Sequence, residues 1–174
     1  MTIDYNKVKK IRAKAHSNEV MSGCSQAVIA ALQEGLEIGD KASLMAATAF
    51  AGGIARRGET CGALVAALMA LGVEEGRETL EDFPKLQSTV SDAHTLSTEF
   101  MKRLDKEFKT KTPLGSTLCR DMQKVIYGRS WNLADPVQRQ NFIDSGGHGD
   151  EGCLKVCGIA AEVAAEMILA KRGV

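Results

Sequence analysis

Aromatic residues make up only 5% of this 174-residue chain: one Trp, two Tyr and five Phe. There are only three prolines, and alternation of Val, Ile and Thr long enough for a strand is hard to find, which favours helix throughout. Neither sign of charge prevails, since Lys plus Arg and Asp plus Glu each number 22. This argues against a nucleic acid or an anionic membrane as the main partner and leaves a small ligand or a protein. No long apolar run opens the chain: Met1 to Arg12 alternates charged and apolar residues, unlike a secretory signal or a spanning helix, so a cytoplasmic location is expected. A phosphate loop, a nucleotide fingerprint and a serine-nucleophile motif are all missing from the sequence.

The length suits one domain spanning residues 1–174, and 44% hydrophobic content supplies a core without disulfides or a structural metal. The expected fold is all-α, a single-domain bundle of seven or eight helices. The first runs from Asp4 to about His16 with Val8 and Ile11 inward, and Ser17 and Asn18 interrupt it. A second runs from Cys24 to about Gly35, and a third, capped by Asp40, reaches about Ala51 before Gly52 and Gly53. A fourth begins at Cys61 and is expected to stop at Gly72. The longest covers Leu86 to about Phe108, with Val90, Leu96, Phe100 and Leu104 inward. Ser116 can cap a helix holding Cys119, Met122, Val125 and Ile126. Asn132 to Asp144 reads as mixed loop and short helix, and the Gly146 to Gly149 run as a hinge or a point of close backbone approach. Cys153 opens the last helix, which ends in Lys171 and Arg172.

Five cysteines, an odd number with no framework spacing, favour catalytic or metal-binding thiols over permanent disulfides. Cys24, Cys61, Cys119 and Cys153 each fall in the first turn of an expected helix. There free N–H groups and the helix dipole favour a thiolate by about 0.3 to 1 kcal/mol. A single cysteine on an apolar helix face is more often plain core, and Cys157, one turn further into the last helix, is expected to be core.

Gly23-Cys24-Ser25-Gln26-Ala27-Val28, then Gly58-Glu59-Thr60-Cys61-Gly62-Ala63-Leu64-Val65-Ala66, a lone Cys119 and a late Cys153 resemble the C_GCAxxG_C_C family, proteins named for redox activity. The resemblance spans roughly Ser22 to Ile168. It places the four family cysteines on Cys24, Cys61, Cys119 and Cys153, and implies thiol or metal redox chemistry. Ala66 stands where the family motif has glycine, which relaxes the close backbone packing expected there. Cys157 has no counterpart in the pattern.

The cysteine intervals of 37, 58 and 34 residues contain no C-x-x-C redox loop and no zinc-finger pairing. The thiolates of Cys24, Cys61, Cys119 and Cys153 can instead meet at one end of the bundle and ligate an iron-sulfur cluster, exchanging electrons with a redox protein or a small-molecule donor or acceptor. Gly62, Ala63 and Arg57 complete the candidate cofactor-binding set. A second reading is a metal-free dithiol oxidoreductase, with Cys61 attacking and Arg57 and the helix start lowering its pKa. A third is a helical interaction module with core cysteines. Association of like chains remains open. Of the other groups, Arg56 and Arg57 precede Cys61 closely enough to depress its pKa or to receive an anionic ligand, and equally read as residues that keep the loop soluble; His148 can serve Cys153 as base or ligand but reads more simply as a solvent-exposed loop residue. Glu162 and Glu166 read as a solvated face, and His16 and His94 as surface.

Overall fold

A computed structural model describes residues 3–21 and 23–173; Ser22, the upstream limit of the family resemblance, lies outside them. Among the described residues the chain forms eight α-helices and no strand. They are α1 (Tyr5–Asn18), α2 (Cys24–Leu36), α3 (Lys41–Ala46), α4 (Gly62–Glu75), α5 (Phe83–Phe108), α6 (Cys119–Tyr127), α7 (Pro136–Asp144) and α8 (Cys153–Arg172). Short 3₁₀ turns, Glu19–Met21 and Ala47–Phe50, follow α1 and α3. None of these helices is long and apolar enough to cross a membrane.

The capping expectation holds at Asp40, which forms a capping box with Ser43; Asp4, read as the first helical residue, caps α1 instead, accepting from the N–H groups of Asn6 and Lys7 at 3.0 and 3.1 Å. Ser17 and Asn18 do not interrupt α1. Ser17 Oγ donates back to Lys14 O (2.9 Å) within α1 and Asn18 Nδ2 donates across to Ala27 O of α2 (3.3 Å), so both polar side chains find partners without ending the helix. Nor does Gly72 stop α4. The helix runs on to Glu75, whose carbonyl accepts from Thr89 Oγ1 (2.6 Å) and whose carboxylate meets Lys85 (2.7 Å), so α5 holds the extra turn in place. Ser116 does not cap α6, because it lies two residues before the N-cap Leu118: its Oγ accepts from Leu118 N (3.1 Å), outside the helix.

The core lies between α1, α2, α4 and α8, with α5 laid across α4 and α8. Helix α8 is buried on almost every side; its Val156, Ala160, Ala164 and Ile168 face the interior as the spacing predicts. Small residues let the helices approach closely, and a Cβ on Gly35 of α2 would overlap Ile11 of α1. Ala66 is fully buried, so α4 packs tightly with the methyl in place of the family's glycine. On α5, Leu96, Phe100 and Leu104 point inward, but Val90 is exposed because the face turned to α4 and α8 at that level is the one carrying Thr89, which bonds Glu75 O (2.6 Å), and Asp92, which pairs with Lys171 (2.7 Å). Val125 of α6 is likewise exposed, on the outer side of a helix that buries Met122.

The scarce aromatics are concentrated in one place. Tyr127, Trp131 and Phe142 meet edge to face with centroids 5.5 to 5.8 Å apart, and His148 stacks edge-on against Phe142 at 5.6 Å. This second small core, contributed by α6, α7 and the segments around them, packs against Cys119 and Cys153.

Candidate functional site

Four helix starts converge on one cavity of about 330 Å³, lined by Cys24, Cys61, Cys119, Cys153 and also Cys157. Cys24, Cys119 and Cys153 are the first residues of α2, α6 and α8, and Cys61 is the residue immediately before α4. Local bonding explains the convergence. The backbone pairs antiparallel at Thr60 and Leu118, with Cys61 N donating to Thr117 O (2.9 Å) and Cys119 N to Glu59 O (2.7 Å), so the starts of α4 and α6 lie side by side. Ser25 Oγ donates to Ala47 O (2.7 Å) and Gln26 Nε2 to Thr48 Oγ1 (2.9 Å), fastening the start of α2 to the segment before Gly52. Cys153 N donates to Gly147 O (3.1 Å), which also accepts from Tyr127 Oη (3.1 Å). The glycine run is thus a point of close approach: a Cβ on Gly147 would overlap the Phe142 ring.

All five thiols are free. Burial, first of all, pushes every one of their pKa values up. Cys61 rises to about 12, with the charge of Cys119 adding to burial, and Cys119 to about 11, with that of Cys24 adding. Cys24, Cys153 and Cys157 move in the same direction. The expected depression at helix starts is therefore reversed. A dipole contribution of at most about 1 kcal/mol is less than one pKa unit, whereas full burial moves a group by as much as about 3 to 5 units. Individual donors act the other way. Gln123 Nε2 donates to Cys119 Sγ (3.5 Å), Tyr127 Oη donates to Cys153 Sγ (3.4 Å), and the Ala63 and Leu64 amides pull on Cys61, short of a capping hydrogen bond. Gln123 is itself buried and fixed by Trp131 N, which donates to its Oε1 (2.8 Å).

Of the sequence candidates outside the cysteines, Gly62 is a steric necessity, since a Cβ there would stand 2.7 Å from Cys24 Sγ and 2.5 Å from Phe50 O. Ala63 is fully buried and faces the site through its amide. Arg57 is exposed and is not part of the cavity wall; its neighbour Arg56 is. His148 is not the solvent-exposed loop residue of the simpler expectation. It lines the cavity with Nδ1 3.3 Å from Glu19 Oε1, off the angle of a hydrogen bond, so that Nδ1 and Glu19 Oε2 are buried without a hydrogen-bond partner among the described residues. Burial raises the Glu19 pKa and His148 lowers it.

Glu19 was not anticipated from the sequence. A signal for it exists, because the inward stripe Val8, Ile11, Ala15 continues four residues on to position 19. Cys157 is fully buried as expected, yet it also faces the cavity, its Sγ 3.8 Å from Cys24 O. Glu162 and Glu166 form an ion-pair network with Arg12 and Arg103 rather than a solvated face.

Residues 22–167 match the model of the family described as "Putative redox-active protein (C_GCAxxG_C_C)". The searches of curated proteins and of solved structures gave no match.

Proposed function

The chain belongs to the C_GCAxxG_C_C family, and on that footing we propose that it is an electron-transfer protein whose Cys24, Cys61, Cys119 and Cys153 ligate an iron-sulfur cluster. The observation that carries this reading is the convergence of these four thiols, from four helix starts, on one largely buried cavity. Among the described residues no three Cys, His, Asp or Glu side chains are disposed to hold a single metal ion. A lone tetrahedral ion requires every sulfur about 2.3 Å from one point. A [4Fe–4S] cluster takes each thiolate on a separate iron, and four thiols around a cavity suit that demand.

When bound, the cluster would supply a one-electron couple. The protein's own groups have clear tasks around it. Cys24, Cys61, Cys119 and Cys153 would be the ligands, and the converging helix N-termini offset the negative charge of four thiolates. Gln123 and Tyr127 donate hydrogen bonds to the sulfurs of Cys119 and Cys153, interactions of the kind that tune a cluster's potential. The Trp131, Leu133 and Phe142 cluster keeps water away from α6 and α8 at this point. The metal-free dithiol alternative draws less support, because an attacking thiol has to be ionised near neutral pH and burial opposes ionisation of all five.

Anaerobic purification followed by iron and acid-labile sulfide analysis tests the proposal. It predicts stoichiometric iron and sulfide with visible charge-transfer absorption. A colourless, iron-free protein under those conditions would contradict it.

A further inference from the structure

One wall of the cavity contains an unusual backbone. Gly52, Gly53, Ile54, Ala55 and Arg56 have φ of 66°, 74°, 53°, 53° and 62°, five successive residues in the left-handed region. Non-glycine residues there cost about 1 to 2 kcal/mol each, and a β-branched residue such as Ile54 is a clear outlier. Bonds from Gly58 N to Gly52 O (3.2 Å) and from Glu59 N to Gly53 O (2.9 Å) close the turn. Strain of this kind is retained where it positions something. Here it carries the backbone past Cys119, since a Cβ on Gly53 would sit 2.6 Å from Cys119 Cβ, and it delivers Arg56 to the cavity.

Exposure distinguishes the mouth of the cavity from its floor. Cys61, Cys157 and Glu19 are buried, whereas Arg56, Thr48 and Ile143 are exposed and Arg139 is half-buried. Arg12, Arg103, Arg120 and Arg172 all pair with carboxylates. Arg56 and Arg139 have no acidic partner among the described residues; Arg139 reaches only Leu133 O, at 3.4 Å. The single acid of the lining, Glu19, is engaged by His148, and its Oε2 is left without a hydrogen-bond partner. Leu133, Phe142 and Ile143 are the apolar residues that line the same cavity as Arg56 and Arg139, and Arg139 Nη1 lies 3.4 Å from Leu133 O.

From this geometry we propose that the cavity mouth binds a small organic carboxylate, its anionic end held by Arg56 and Arg139 and its apolar body against Leu133, Phe142 and Ile143. Planar guanidinium groups match a carboxylate in two-pronged fashion. The apolar lining selects an organic anion over an inorganic one. That this ligand is the reactant of the redox centre rests on the cluster reading; its binding does not.

The test is calorimetric titration of the full chain at low ionic strength with benzoate, benzamide and sulfate, on both metal-free reduced and anaerobically isolated protein. Benzoate should bind at least about 10-fold more tightly than its uncharged analogue or sulfate. Arg56→Gln and Arg139→Gln should each weaken benzoate about 10-fold and leave benzamide unchanged. Arg77→Gln, on an exposed loop, should have no effect. Arg139→Lys, which keeps the charge, should fall between and guards against loss of structure at position 139. Equal binding of benzoate and benzamide, sulfate binding as tight as benzoate, or Arg56→Gln and Arg139→Gln indistinguishable from the unsubstituted chain would overturn the proposal. Benzoate binding to anaerobically isolated protein that contains no iron would refute the cluster while sustaining this site, and an iron-loaded isolate that does not bind benzoate would do the reverse.

Discussion

Cys61 shows how a position can oppose the chemistry its sequence context suggests. Its place at a helix start favours the thiolate, and its burial favours the thiol by a larger margin. The consequence is a pH dependence of stability in the reduced, metal-free protein. Below the ordinary thiol value of 9.0 both folded and unfolded states are protonated and the contribution is fully present. As pH rises the unfolded thiols ionise first while the folded ones retain their protons, until Cys119 titrates near about 11 and Cys61 near about 12. Stability should therefore fall from pH 9 upward, as urea midpoints at pH 8 and pH 10 would show, and a Cys61→Ala/Cys119→Ala protein should lose less. A midpoint independent of pH across that range would count against buried thiols. Gly62 offers a steric counterpart. Gly62→Ala would push a methyl into Cys24 Sγ and Phe50 O and should cost about 1 to 3 kcal/mol, measured by denaturant unfolding.

Among the helices, legibility followed the strength of the local signal. The stripe Val156, Ala160, Ala164, Ile168 and the cap at Asp40 were readable because apolar spacing and cap chemistry are properties of neighbouring residues. Asp40→Ala should accordingly destabilise the chain by about 1 kcal/mol. Gly72 and Val90 were misread because α4 and α5 fix each other's ends through Thr89, Lys85 and Glu75, contacts that no window of sequence contains. The cysteine positions were legible to within one residue, whereas their pKa direction was not, since burial is set by the whole packing. Glu19 escaped notice because an acid on an inward stripe looks like the end of the stripe. The network between α5 and α8 is similarly non-local: Arg103 makes two bonds to Glu166, at 3.0 and 2.6 Å, and a third contact to Glu162. Arg103→Met should cost about 1 to 2 kcal/mol, a loss that high salt should partly mask in the same unfolding assay.

The bundle α1, α2, α4, α5 and α8 holds the large core, and the starts of α2, α4, α6 and α8 bring Cys24, Cys61, Cys119 and Cys153 to one cavity. The two parts are separable. Phe100 is fully buried in the large core and does not line the cavity, so Phe100→Ala should lower stability by about 3 to 5 kcal/mol while the folded protein keeps its metal content. At the cavity mouth Arg56 and Arg139 stand apart from the ion pairs that occupy Arg12, Arg103, Arg120 and Arg172, which is what the proposed carboxylate site requires. The central claim is that Cys24, Cys61, Cys119 and Cys153 serve one centre and Cys157 stands beside it. Iron content and visible absorption of five anaerobically purified single Cys→Ser variants test this most directly. The account predicts that Cys157→Ser keeps its iron and that each of the other four loses most of it. Full iron retention in all five, or loss in Cys157→Ser alone, would contradict it.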